Sequence, residues 1–125
     1  MVKKFVISAA ATLLVLSFGA QARADGNIKD GEKAFRKCAI CHDIRPGKHK
    51  IGPSLHGVFG RKSAAAAGYR YSPAMQKAGI TWDDAALHKY LENPRKLVPG
   101  TRMVFAGVRS QKERDDLVAF LKSLK

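Results

Sequence analysis

Two cysteines and a histidine lie within five consecutive residues of this chain, Cys38-Ala39-Ile40-Cys41-His42. They form a C-x-x-C-H motif, which is the attachment signature of a c-type haem. Two thiols at this spacing can add to the two vinyl groups on one edge of a porphyrin, and the imidazole that follows can coordinate the iron from the same turn. The sequence therefore predicts one haem bound covalently through Cys38 and Cys41, with His42 as an iron ligand.

Two other interpretations of the cysteine pair are open at this point. A C-x-x-C pair can be a redox dithiol, but such a dithiol belongs to a βαβ setting that this sequence does not show. A structural zinc site would need a second pair of ligands at similar spacing, and His49 and His56 do not form one. Haem attachment is the interpretation that we carry forward.

The opposite face of the iron needs a sixth ligand or stays open, and this choice separates electron transfer from catalysis. The candidate side chains after the motif are Met75, Met103, His49, His56 and His88. Met103 lies in a tract, residues 98–105, that Pro and Gly keep non-helical, where a thioether could point inward. Either methionine could instead fill a gap in the core.

Short helices are predicted to position these residues. Asn27 followed by Asp30 can cap a first helix, which delivers its C-terminal end to the cysteines. The apolar stripe of this helix, at helical spacing, comprises Ile28, Gly31, Phe35 and Cys38. Ser72 can cap a second short helix, with Pro73 as its first residue and Gly79 just beyond its end.

Two further helices are predicted in the C-terminal half. Thr81 followed by Asp84 predicts a helix over residues 82–92, which Asn93 and the proline after it should stop. Ser110 begins the last helix, whose buried residues are predicted to be Leu117, Val118, Phe120, Leu121 and Leu124. No stretch after residue 24 alternates as a strand does. The predicted fold class is therefore all-α, with short helices and long loops wrapped around one haem.

Residues 1–24 are typical of an export signal. Lys3 and Lys4 precede an uncharged run over residues 5–18, and Ala22-Arg23-Ala24 offers a small-x-small cleavage site. A retained membrane anchor fits less well, because the run is shorter than the ~18 residues of a spanning helix. We predict a signal peptide over 1–24 that is cleaved after Ala24 or Ala22, a single domain over 25–125 and a periplasmic location.

The charge of the chain indicates anionic partners. The chain has 23 basic and 10 acidic residues. Loss of the leader removes three of the basic residues and leaves a net charge of +10. An excess of this size favours binding to anionic surfaces. Nucleic acid is disfavoured, because the basic residues are dispersed and do not lie beside base-stacking aromatics.

Five segments, in this order, resemble class I cytochrome c, and the resemblance is closest to the bacterial cytochrome c2 branch and its mitochondrial relatives. The segments are GEKAFRKCAICH at 31–42, GPSLHGVFGRK at 52–62, GITW at 79–82, YLENP at 90–94 and PGTRM at 99–103. The resemblance covers nearly the whole chain after residue 24. It implies a mono-haem, all-α electron carrier, not an enzyme, whose first and last helices cross.

The resemblance also assigns roles to individual residues. It implies that Met103 is the sixth ligand, opposite His42, and that the carbonyl of Pro53 accepts a hydrogen bond from the ring of His42. The residues expected around the haem are Arg61, Tyr71, Trp82 and Thr101 beside the propionates, and Tyr90 and Phe105 beside Met103. Met75 departs from the mitochondrial pattern, which usually has Asn there.

The implied partners are membrane redox complexes with acidic docking faces: a cytochrome bc1-type donor and a terminal oxidase or photosynthetic reaction centre as acceptor. The carrier would be a monomer, peripheral to the membrane. Its exposed haem edge would be ringed by Arg36, Lys48, Lys50, Arg95, Lys96, Arg102 and Arg109. The alternative function is a haem peroxidase or small-ligand sensor in which Met103 leaves the iron.

Overall fold

A computed structural model describes residues 25–125, so the predicted signal peptide lies outside the described residues. The helices of this part are α1 Ile28–Phe35, α2 Pro73–Lys77, α3 Asp84–Glu92, α4 Pro94–Leu97 and α5 Gln111–Ser123. Over the same residues, β pairing is limited to one isolated bridge between Lys62 and Thr81. No helix among them has the length and apolar character needed to cross a membrane. The all-α fold class is confirmed.

Helices α1 and α5 pack against each other, so the two ends of the described chain meet. The rings of Phe35 and Phe120 lie with their centroids 5.2 Å apart. A Cβ atom on Gly31 would lie 2.0 Å from the carbonyl oxygen of Asp116, so this close approach requires glycine. The contact positions α1, and with it the cysteine motif that follows.

The predicted caps of α1, α2 and α5 are present. The side chains of Asn27, Ser72 and Ser110 each accept a hydrogen bond from the backbone N–H three residues later. The backbone N–H of Asn27, however, donates to Asp116 of α5 at 2.8 Å. The start of α1 is therefore held by a residue from the other end of the chain.

The third helix ends at Glu92 as predicted, but the prediction of its cap was wrong. Thr81 does not cap α3, because it lies in the bridge with Lys62, and the cap is Asp83. A further helical turn, α4, follows directly and was not predicted; Asn93 caps it by accepting from the backbone N–H of Lys96 at 3.1 Å. The Asn-Pro pair that ends α3 also begins α4, because proline fits the first turn of a helix.

The core is built from α3, α5 and the loops around them. Its buried apolar residues are Phe35, Val58, Trp82, Leu87, Tyr90, Leu91, Val98, Val108, Leu117, Val118, Phe120 and Leu121. Met75 and Met103 are half-buried against this core. Ile28, in the predicted apolar stripe of α1, is 51% exposed, and Leu124, which was predicted to be buried, is only half-buried. Residues 43–71, as predicted, contain no helix.

Candidate haem site

Cys38, Cys41 and His42 lie on one turn that continues from the end of α1. The backbone N–H of Cys38 donates to the carbonyl of Phe35 at 2.8 Å. The N–H groups of Cys41 and His42 both donate to the carbonyl of Cys38, at 3.0 and 2.9 Å. Both cysteines are half-buried free thiols, and burial raises the pKa of Cys38 to about 11. The turn thus presents two thiols and an imidazole together.

The ring of His42 is oriented by the backbone of Pro53. Its Nδ1 atom lies 2.7 Å from the Pro53 carbonyl oxygen. A carbonyl only accepts, so Nδ1 carries the hydrogen and the lone pair of the neutral ring is on Nε2. Burial lowers the pKa of His42 below its usual value, and nearby Lys50 lowers it further against the opposing effect of the Pro53 hydrogen bond. Neutral imidazole with a free Nε2 is the form that binds iron.

Gly52 leaves the space that this ring occupies. A Cβ atom on Gly52 would lie 2.4 Å from Cε1 of His42. The backbone N–H of Gly52 also donates to the carbonyl of Cys41 at 2.8 Å. The segment that carries Pro53 is therefore attached directly to the turn that carries the thiols.

Arg61 is half-buried, and its guanidinium lies against the loop at residues 54–56. Its two terminal nitrogens donate to the carbonyls of His56 and Ser54, at 3.0 and 3.1 Å. Its Nε atom is buried without a hydrogen-bond partner among the described residues. A buried donor of this kind costs about 1–3 kcal/mol unless another group satisfies it. A haem propionate is such a group, so Arg61 fits the role that the family resemblance implies.

Several of the expected haem-lining residues lie together beside Met103. The hydroxyl groups of Tyr90 and Thr101 are 3.2 Å apart, and the Thr101 hydroxyl accepts from the backbone N–H of Met103 at 3.3 Å. The rings of Trp82 and Tyr90 pack with their centroids 4.9 Å apart. Burial raises the pKa of Tyr90, so its hydroxyl stays protonated near neutral pH. This cluster fixes the backbone of the Met103 loop.

Tyr71 is held by two contacts, one of which sequence reasoning missed. Its hydroxyl accepts from the backbone N–H of Ala66 at 3.1 Å. Its carbonyl accepts from the guanidinium of Arg102 at 2.7 Å, which ties the loop of Met103 to the loop of Tyr71. Arg102 was predicted only as a surface charge, and no local pattern indicates a contact across 31 residues.

His49 also has a structural role that the sequence did not reveal. Its Nδ1 atom accepts from the backbone N–H of Ser54 at 3.0 Å. Its Nε2 atom donates to the carbonyl of Ala67 at 2.7 Å. The ring therefore joins two loops. Both ring nitrogens are used in these bonds.

Known proteins resemble this arrangement closely. The sequence profile of the family Cytochrome c matches residues 28–125. Cytochrome c2 of Rhodomicrobium vannielii is 46% identical over 107 residues, which cover 85% of this chain and 86% of that protein. Cytochrome c of Gibberella zeae is 48% identical over 101 residues, covering 79% and 95%. The solved structure of cytochrome cH from Methylobacterium extorquens matches with a TM-score of 0.76 and 46% identity, covering 78% and 99%.

An all-α fold that presents two thiols and an oriented imidazole on one turn defines a c-type haem protein. The chain belongs to the cytochrome c family, in its class I branch. Members of this family carry covalently bound haem c and transfer electrons, and they are not enzymes. The predicted cofactor and the prediction of an electron carrier are thereby confirmed, and the peroxidase alternative loses its support.

Proposed function

We propose that this cytochrome is a periplasmic one-electron carrier whose haem is held by Cys38, Cys41, His42 and Met103. The observation that carries the proposal is the attachment turn. It holds both thiols beside an imidazole whose Nδ1 is bound to Pro53 at 2.7 Å, which leaves Nε2 for the iron. When bound, a haem with two protein ligands supplies one-electron chemistry and has no open position for a substrate.

The residues around the ligands hold them in place through the redox cycle. Pro53 fixes the orientation of the His42 ring, and Thr101 fixes the backbone of Met103. A thioether ligand raises the reduction potential, as does the burial of the haem. The fixed charge of Arg61 would balance a propionate inside the domain. Because the loops that carry His42 and Met103 are both held, little rearrangement of the protein would accompany the transfer of an electron.

Location and partners follow from the leader and the charge. Residues 1–24 carry the features of an export signal, and the similar proteins include a bacterial cytochrome c2 and a cytochrome cH. We propose that the partners are a cytochrome bc1-type complex and a terminal oxidase or reaction centre, met through their acidic faces. All seven basic residues expected at the haem edge are exposed: Arg36, Lys48, Lys50, Arg95, Lys96, Arg102 and Arg109.

The proposal is tested on protein recovered from the periplasm of a bacterial host that attaches haem to cytochromes c. We expect a pyridine haemochrome spectrum with one haem per chain, and an intact mass equal to residues 25–125 plus one haem. Replacing both Cys38 and Cys41 with Ala should abolish the added mass. A colourless product with the mass of the polypeptide alone would refute covalent attachment.

The sixth ligand is tested by two matched substitutions, Met103→Leu and Met75→Leu. Both replace a half-buried methionine with an apolar side chain of similar volume. Only Met103→Leu should convert the ferric protein to a high-spin species that binds cyanide readily. The reverse pattern would assign the thioether ligand to Met75.

A further inference from the structure

A cavity of about 360 Å³ lies where the start of the described chain meets α3 and α5. Its acidic lining residues are Asp25, Asp84 and Asp115, and its other charged or titratable ones are His88 and Lys122. With His88 neutral, three carboxylates against one ammonium give this cavity a net charge of −2. The chain as a whole has 23 basic and 10 acidic residues. Three of its ten carboxylates therefore meet at one point of a strongly basic protein.

Short contacts hold the carboxylates of α3 and α5 in place. Nε2 of His88, a buried side chain, lies 3.4 Å from Oδ1 of Asp115 and 3.8 Å from Oδ2 of Asp84. The other carboxylate oxygen of Asp84 pairs with Nζ of Lys122. The side chain of Asp115 is only 12% exposed. A carboxylate shielded from water in this way interacts more strongly with a nearby charge than an exposed one does.

The backbone of residues 25–27 is fixed against α5. A Cβ atom on Gly26 would lie 2.0 Å from the carbonyl oxygen of Asp115, so the chain passes directly over that residue. The backbone N–H of Asn27 donates to Asp116 at 2.8 Å. Asp25 precedes these two anchored residues, and its backbone nitrogen lies within about 3.6 Å of the next one along the chain. That nitrogen is therefore held at the cavity, close to Asp115.

We infer that this cavity binds the α-ammonium group of Asp25, which forms when the leader is removed after Ala24. In the precursor this nitrogen is part of a peptide bond and carries no charge. Cleavage gives it a positive charge and three hydrogens, which the carboxylates of Asp84 and Asp115 can accept. The inference rests on the proposed removal of residues 1–24. It selects Ala24 over Ala22 as the last residue removed, because an amine two residues earlier would lie further from the anchored backbone.

The new ion pair should make the mature protein more stable than its precursor. Asn27 already joins the start of the domain to α5, and the ammonium would add a second link between the same two segments. An amine that gains carboxylate partners on folding has a raised pKa in the folded protein. Its stabilising effect is complete below the pKa of the unfolded amine, about 8, and disappears as the pH rises through the folded pKa.

The test compares the haem-loaded mature protein with a chain that carries two extra residues, Gly-Ser, before Asp25. Both proteins have an α-amine and the same net charge, but the extension moves the amine away from the cavity. Two variants of the mature protein each remove one negative charge: Asp115→Asn, and Glu32→Gln on the exposed side of α1 as the control. The α-amine is labelled by reductive methylation with isotope-labelled formaldehyde and titrated by NMR. Urea unfolding is followed from about pH 6 to about pH 10.

The α-amine of the mature protein should bind its proton about fivefold more tightly than that of the extended chain, which is a pKa of about 8.7 against about 8. Fivefold corresponds to about 1 kcal/mol of unfolding free energy, present at about pH 7 and lost by about pH 10. Asp115→Asn should remove most of this effect, and Glu32→Gln should retain it. Equal α-amine pKa values in the mature and extended chains, or in the two variants, would overturn the inference.

The intact mass of the recovered protein separates this result from the proposed function. A mass that includes residues 1–24 would contradict both the proposed processing and the amine site, and a chain that begins at Arg23 would overturn the amine site. A haem-loaded chain that begins at Asp25 and transfers electrons, but whose α-amine has an ordinary pKa, contradicts only the amine site. If Asp115→Asn does not fold, the extended chain, which changes no residue of the domain, carries the test.

Discussion

The imidazole of His42 has neighbours that leave it one orientation. Pro53 accepts the Nδ1 hydrogen at 2.7 Å, and Gly52 has no side chain where the ring lies. Both neighbours belong to one loop, which is bonded to the carbonyl of Cys41. The geometry of the proposed ligand therefore depends on two adjacent residues that never touch the iron.

The first prediction concerns Gly52→Ala. The new Cβ would lie 2.4 Å from the His42 ring, so the ring must move and its bond to Pro53 must weaken. We expect the variant to lose about 1–3 kcal/mol of unfolding free energy, as overpacked buried sites do. The reduction potential should also shift.

The matched change is Gly47→Ala, where no atom of the described part of the chain lies within 4 Å of the new Cβ. Because Gly47 has a φ of 63°, this substitution should cost about 1 kcal/mol from backbone strain and leave the potential unchanged. Urea unfolding and potentiometry measure both quantities. Equal potentials in both variants and the parent would show that Gly52 does not control the ring.

The second prediction concerns Ala64, which has a φ of 58°. This left-handed conformation costs a residue with a Cβ atom about 1–2 kcal/mol. Glycine adopts it without that cost, but it also raises the conformational entropy of the unfolded chain, which offsets part of the gain in stability. Ala64→Gly should therefore raise the unfolding free energy by about 0.5–1 kcal/mol. Ala65→Gly, one residue further along at ordinary φ, should lower it in the same urea titration. A destabilised Ala64→Gly protein would contradict this account.

The sequence was most informative about residues whose neighbours in space are also neighbours in the chain. The motif at residues 38–42 predicted that both thiols and the imidazole of His42 lie together, because one turn contains all three. The Arg102–Tyr71 and His49–Ala67 bonds span 31 and 18 residues, and no pattern in the sequence indicates them. Within residues 25–125 the Nε atom of Arg61 has no hydrogen-bond partner, and this too is visible only once its neighbours are in place.

The ends of the helices also show that the sequence predicts local contacts and misses contacts between distant segments. Asn27, Ser72 and Ser110 cap the helices that they were predicted to cap, since a cap needs only a side chain and the next three residues. Thr81 has an equally good local pattern, but pairing with Lys62 removes it from α3. A tertiary contact thus moved the start of α3 to a competing cap, Asp83.

The start of α1 depends on α5 as well as on its own sequence. Asp116 accepts from the backbone N–H of Asn27 at 2.8 Å and from Lys112 at 2.7 Å. These donors, Lys112 first and then Asn27, hold the pKa of Asp116 below its usual value. A carboxylate whose pKa is lower in the folded protein stabilises the fold at pH values above its pKa in the unfolded chain, which is about 4. This stabilisation disappears as the pH falls through the folded pKa.

The third prediction concerns Asp116→Ala, whose effect on the unfolding free energy should depend on pH. Asp116→Ala should lower the unfolding free energy by about 1–2 kcal/mol near neutral pH, because a charged acceptor is lost. The difference from the parent should shrink as the pH falls below about 4, where the parent also loses the charge. Urea titrations over a pH series measure it. Glu32→Ala, an exposed change on α1, is the control that should stay close to the parent. A difference in unfolding free energy between the parent and Asp116→Ala that increases as the pH falls would contradict this prediction.

The whole molecule carries a formal net charge of +13 with its leader and +10 without it. Such a charge governs encounter with partners more than it governs folding. The exposed basic residues expected at the haem edge are a minority of the total, so the position of a charge should matter as well as its sign. A pair of substitutions with equal change in net charge separates the two effects.

The fourth prediction compares Lys48→Glu with Lys89→Glu, two exposed lysines of which only the first belongs to the expected docking set. Lys48→Glu should slow reduction by a bc1-type complex at least about fivefold more than Lys89→Glu at low ionic strength, because charges near the contact dominate steering. Stopped-flow kinetics measure this, and the difference should vanish near 1 M salt. Equal slowing by both variants would mean that only the net charge acts.

The packing of Gly31 and Phe35 against Asp116 and Phe120 joins the first described helix to the last. A ribosome releases the chain from its N-terminus, so α1 has no docking partner until synthesis is nearly complete. Until then we expect the cysteine motif to lie in a part of the chain that has not folded, where both thiols are accessible. We therefore expect haem attachment to precede folding, and a chain that ends before Gln111 should still acquire haem yet show no cooperative unfolding transition.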